Sequence, residues 1–152
     1  MTQNKATPKT QAPDETALDY RLDAQVGFLM RRANQRHLAI FAEGISDLTP
    51  TQFAALAKLC EVGALPQNAL GRATAMDAAT IKGVVDRLRA RNLVESMPDP
   101  KDQRRVLVKA TSEGWSLFET RTQAARQITK DTLSPLNETE QTIFLLLLQK
   151  LL

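Results

Sequence analysis

The stretch "ESMPDPKDQRRVLVKAT", Glu95 to Thr111, gathers charged and conformationally restricted residues between two apolar segments. Lys101, Arg104 and Arg105 are cations, Asp99 and Asp102 are carboxylates that can pair with them, and Pro98 and Pro100 stiffen the backbone. Arginine is planar and less strongly hydrated than lysine, which suits it to the concentrated negative potential of a narrow DNA minor groove. The prolines lower the entropy that such a loop would lose on docking. A solvated hairpin tip that touches nothing has the same composition, so the rest of the chain must decide between the two.

A second group of cations lies just upstream in "AATIKGVVDRLRAR", where Ile81, Val84, Val85 and Leu88 fall on one helical face. Asp77 is a good cap for this helix, and Asn92 stands where a left-handed terminus is wanted. Thr80 and Lys82 project from the other side within the first two turns. Lysine there donates to guanine O6 and N7 or is simply solvated; threonine donates to a base or touches a thymine methyl. Ala78 and Ala79 are too short to hydrogen-bond, and Gly83, costly inside a helix, permits close backbone approach. Arg72 and Arg87 suit phosphates and would set the register, while Arg89 and Arg91 either join them or remain solvated.

Charge distribution points to an anionic partner for this region. The net charge is only +3, yet residues 66–109 hold nine Lys/Arg against five Asp/Glu, whereas 1–65 hold seven of each and 110–152 hold four against five. A local basic patch is the footprint expected of a nucleic-acid contact, although solvated basic faces share it.

The elements that would position these residues follow from periodicity and caps. Leu22, Val26, Leu29, Met30, Ala33, Ile40 and Phe41 predict a long first helix over about 18–43. In "LTPTQFAALAKLC", Thr49 caps, Pro50 takes the first helical position, Gln52 completes a capping box, and Leu48 with Phe53 forms a hydrophobic staple. A short element spans Pro66–Ala73, and "NLVESM" and "RVLVKA" predict a β-hairpin whose loop is Pro98–Arg104. Thr111 caps a helix carrying Trp115, Phe118, Ala125 and Ile128; Asn137 and Glu140 box the start of a last helix ending in "IFLLLLQKLL". Short helices followed by a hairpin describe a mostly α (α+β) winged helix-turn-helix, in which the third short helix enters the major groove and the hairpin is a wing beside it.

This order resembles the MarR family of bacterial transcriptional regulators over about residues 18–152. The likeness rests on "LTPTQFAALAKL", on "LGRATAMDAATIKGVVDRLRARNLVE", and above all on "DPKDQRRVLVKAT", where Asp102, Arg104, Val108 and Thr111 match the family's wing pattern. The resemblance implies a homodimer joined through helices at 18–46 and 112–152, with a DNA-binding domain over 47–111 that reads a pseudo-palindromic double-stranded operator. It also implies a small aromatic or phenolic effector bound between the dimerisation and DNA-binding regions; the arginines of the first helix leave an acidic effector or an acyl thioester open. Arg104 would reach into the minor groove, and Asp102 would brace the loop by pairing with an arginine. Arg105 either holds phosphate beside Arg104 or pairs with Asp99 or Asp102.

Effector contacts are less legible. His37 lies one turn before Phe41 on the first helix, where a histidine is either structural or pocket-lining. Arg31 and Arg36 could hold an acidic group, stay solvated, or join a dimer salt bridge. Cys60 shares a face with Phe53 and Leu56 and should be buried; Trp115 and Phe118 should pack the core or line a pocket.

Other function classes find little support. One histidine and one cysteine give no metal cluster, and no phosphate-binding glycine loop or nucleophile elbow occurs, so neither an enzyme nor a cofactor is expected. The longest apolar run, Ile143–Leu148, has six residues, against about 20 for a membrane span. Residues 1–17 are polar and proline-bearing, which predicts a disordered arm, and the location expected is cytoplasmic and nucleoid-associated. The apolar last helix needs burial against a second copy. The reading is a repressor released by a small molecule. Its rivals are an effector-insensitive architectural DNA-binding protein and a helical adaptor that binds only protein.

Overall fold

A computed structural model describes residues 20–152. The arm predicted over 1–17 lies outside the described residues. They fall into two units, one ending at Asn34 and the other Gln35–Leu152.

A 3-10 turn, Leu22–Ala24, precedes helix α1, Val26–Gly44. The first helix therefore starts later than position 18, because Gln25 is extended (φ −82°, ψ 133°) and interrupts the helical path. In the first unit Leu22, Val26, Leu29 and Met30 are exposed.

The second unit continues with α2 (Pro50–Val62), β1 (Leu65–Pro66), α3 (Gln67–Ala73) and α4 (Ala78–Ala90). It is completed by β2 (Val94–Asp99), β3 (Asp102–Ala110), α5 (Ser112–Leu133) and α6 (Glu138–Gln149). Local chemistry sets most of the helix starts. Thr49 Oγ1 accepts from the Gln52 amide at 3.2 Å and Gln52 Oε1 from the Thr49 amide at 3.0 Å, with Pro50 at the start of α2. Asn137 and Glu140 form the same reciprocal box on α6, and Thr111 accepts from Gly114 at 3.0 Å on α5. Each cap satisfies an amide that the helix itself leaves unbonded.

The sheet has the order β1-β3-β2, antiparallel throughout. Its third strand was not foreseen: Leu65 and Pro66 pair with Val108 and Leu107, so Pro66 belongs to β1 and the helix begins at Gln67. Two residues are too few for the alternation that identifies a strand. The hairpin loop is also tighter than Pro98–Arg104, since β2 runs to Asp99 and β3 resumes at Asp102. Pro98 is accommodated in pairing with Val106 because β2 is an edge strand, where a missing N–H leaves no partner unbonded.

One core joins these elements. Leu56 and Leu59 of α2, Leu70 of α3, Ile81 and Leu88 of α4, and Val94 and Val108 at the root of the wing are all buried. Burial of each such side chain contributes about 1.5–3 kcal/mol. Gly114 sits where α5 crosses this core so closely that a Cβ added there would lie 2.0 Å from the Leu93 carbonyl oxygen. Ile143, Phe144, Leu145, Leu146 and Leu147 of α6, in contrast, are exposed. Among the described residues, no helix is long and apolar enough to cross a membrane.

Candidate nucleic-acid interface

Helix α4 divides into two faces. Ile81, Val84, Val85 and Leu88 bury one of them in the core, which fixes the direction of the other. Asp77 Oδ1 accepts from the Thr80 amide at 2.7 Å, and this bond holds the Asp77 carboxyl below its ordinary range. At the far end Asn92 adopts φ 57°, ending the helix as its residue type predicts. Ala78, Ala79, Thr80, Lys82 and Arg87 are exposed. A Cβ at Gly83 would meet only an Arg87 guanidinium nitrogen, at 3.7 Å, so no intramolecular contact calls for glycine there.

The outward cations are not equivalent. Lys82 Nζ lies 2.7 Å from Asp86 Oδ2, and Arg89 bonds Asp86 Oδ1 at 3.1 Å and the Ser96 hydroxyl of β2 at 2.8 Å. Arg91 donates to the Asp47 carbonyl. The guanidinium groups of Arg72, Arg87 and Arg104 have no hydrogen-bond or ion-pair partner among the described residues.

At the wing tip both aspartates turn the chain through backbone amides. Asp99 Oδ1 accepts from the Lys101 amide at 2.9 Å, and Asp102 Oδ1 from the Arg104 amide at 3.1 Å. Asp102 thus braces the loop through the backbone of Arg104, where an arginine side chain was expected. The ion pair at the tip is Arg105 with Asp99, at 4.0 Å. Beside it the exposed side chains of Lys101 and Arg104 have no partner among the described residues.

The residues considered for an effector lie elsewhere. In the first unit Arg31 is exposed. In the second, His37, Phe41, Phe53, Phe118 and Trp115 form a file of rings with centroids 6.1–6.5 Å apart. Trp115 is 43% exposed, so it does not pack the core as expected. His37 Nδ1 lies 3.0 Å from Thr132 Oγ1. Arg36 donates to the carbonyls of Asp131 and Thr132 at the end of α5, where the Asp131 carbonyl also accepts from the Ser134 amide and hydroxyl. Cys60 is buried as expected; desolvation first and the nearby Glu119 second push its thiol up to about 11, so it stays protonated at neutral pH.

A contact that sequence reasoning missed fastens α4 to α5. Arg121 of α5 bonds both carboxylate oxygens of Asp47, at 3.1 and 3.0 Å, while Arg91 at the end of α4 takes the Asp47 carbonyl. The Arg121 hydrogen bond holds the Asp47 carboxyl below its usual range. The partners are 74 residues apart, and no local pattern signals such a pair.

Comparison with known proteins gives this arrangement its context. The model of the MarR family matches residues 48–106, from the entry into α2 to the middle of β3. The HTH-type transcriptional repressor NicR of Pseudomonas putida is 43% identical over 97% of this chain and 94% of its own length. A probable transcriptional regulator from Pseudomonas aeruginosa superposes with a TM-score of 0.85 at 53% identity, covering 87% of this chain and all of that one. BpsR of Bordetella bronchiseptica, whose DNA binding is regulated by 6-hydroxynicotinic acid, superposes with a TM-score of 0.83 at 44% identity, over 87% of this chain and 96% of its own. With its winged helix-turn-helix, its wing pattern and these near full-length relatives, the chain belongs to the MarR family.

Proposed function

We propose that this protein is a homodimeric transcriptional repressor that binds a pseudo-palindromic DNA operator and leaves it when a small aromatic acid binds. One observation carries the reading: helix α4 is anchored by a buried apolar face, and its exposed face stands with Arg104 of the wing as a set of outward cations. In this arrangement Thr80 and Lys82 enter the major groove, Arg104 enters the flanking minor groove, and Arg72, Arg87 and Arg105 hold phosphates. The exposed apolar residues of α6 pack against a second copy, which sets two recognition helices in successive major grooves about 10 base pairs apart. The protein then works on the chromosome, in the cytoplasm.

For the effector, the likeness to BpsR favours a hydroxylated aromatic acid. The ring file from His37 to Trp115 offers aromatic surface; Arg36 is engaged by α5 and Cys60 is sealed in the core. The test is selection of duplexes from a random pool, then anisotropy titration of an enriched duplex with and without 6-hydroxynicotinate, nicotinate serving as the control. Expected are tight, salt-dependent binding and release by the hydroxylated acid. Equal affinity for enriched and random duplexes would remove the operator reading, and a monomer in sedimentation at micromolar concentration would remove the dimer.

A further inference from the structure

Asp86 is an oddity on the face just described. It lies on the exposed side of α4, one turn beyond Lys82, and DNA is a polyanion. Each of its oxygens is taken by a different cation: Oδ2 by Lys82 at 2.7 Å and Oδ1 by Arg89 at 3.1 Å. Arg89 continues the chain to Ser96 of β2 at 2.8 Å. The three charged side chains are well exposed, at 68%, 45% and 43% for Lys82, Asp86 and Arg89. Ion pairs so exposed add little to stability, and α4 is already held by its buried face. The Lys82 hydrogen bond also holds the Asp86 carboxyl below its ordinary range, so the charge persists at every pH where DNA would be bound.

We infer that Asp86 is a specificity-determining residue that withholds Lys82 and Arg89 from DNA of the wrong sequence. This rests on the DNA-binding reading above. Affinity for random duplex comes from cations replacing counterions along the phosphates. Two of the cations on this face share the one negative charge of Asp86, whereas Arg72, Arg87 and Arg104 have no acidic partner among the described residues. On random DNA the paired cations gain little by leaving the carboxylate. At a matching operator, close seating of α4 offers Lys82 a base edge, and that contact compensates for the ion pair it gives up. The carboxylate therefore lowers random binding more than operator binding, which is discrimination by a repulsive element.

The experiment compares the wild-type protein with Asp86→Asn on an enriched duplex and on a random duplex, across a salt series, with thermal melting to check the fold. Asp86→Asn should tighten random binding about tenfold and steepen its log affinity against log salt slope by about one, as one further positive charge becomes available to phosphates. Enriched-duplex affinity should change less, so the ratio between them falls. In a Lys82→Ala, Arg89→Ala background the same substitution should leave the slope unchanged, because the cations it frees are gone. Equal weakening of both duplexes with the fold intact would show that Asp86 only orients its partners, and would overturn the inference. So would an unaltered slope. Failure of the wild-type protein to enrich any duplex would overturn the DNA-binding reading and this inference together; enrichment with an unchanged Asp86→Asn slope would overturn this inference alone.

Discussion

The recognition helix and the wing set aspartates among cations and use them differently. On α4 the outward lysine is bound to a carboxylate, and a neighbouring arginine is bound to the same one. On the wing Asp99 and Asp102 each give an oxygen to a backbone amide, Asp99 also pairs with Arg105, and the Arg104 guanidinium has no partner among the described residues. Aspartates near arginines thus do different work according to what else their oxygens can reach. In the proposed complex Lys82 exchanges partners to touch DNA, whereas Arg104 needs only to approach it.

The widest break in that comparison is one that removes both regions at once. Gly114→Ala forces a methyl against the Leu93 carbonyl at the joint of α4, β2 and α5. It should cost about 3 kcal/mol of stability, seen as a lowered melting temperature. Next, Arg104→Ala should weaken operator binding by about 1–3 kcal/mol with the melting temperature unchanged, measured by anisotropy. Unchanged affinity with the fold intact would take the wing out of the interface. Lys82→Ala should be milder, about twofold to threefold in operator affinity, because the free lysine already has a partner to lose. If Lys82 proved the stronger determinant, the contrast between preoccupied and free cations would be wrong.

The smallest effect concerns how the root of α4 is fastened. Because Arg121 lowers the Asp47 carboxyl pKa, the unfolded chain binds the proton more readily than the folded one. Stability from this pair is therefore fully present above the ordinary value of 3.8 and is lost as pH falls through the lower folded value. Melting followed from pH above 3.8 to below it should drop about 1–3 °C further for the wild-type protein than for Asp47→Asn.

What was legible in the sequence was local. Thr49, Asp77, Thr111 and Asn137 each bond an amide three residues on, so the helix starts could be read directly from residue type and spacing. The buried face of α4 followed from its period for the same reason. Illegible were contacts made only after the chain returns on itself: Arg36 to the end of α5, Arg121 to Asp47, and β1 to β3. The role of Asp102 was missed differently. Its partner is two residues away, but an amide competes with several arginines for that carboxylate, and residue types alone do not rank them.

The strand Leu65–Pro66 pairs with the wing at Leu107 and Val108. The sheet is therefore three strands wide where it meets the core and two strands wide toward Pro100 and Lys101. A beam clamped at one end flexes most at the other, so in the proposed complex Arg104 would follow minor grooves of differing width while Val108 holds still. Adaptation to the groove is then confined to a few residues, and the packing beneath them need not register which operator has been met.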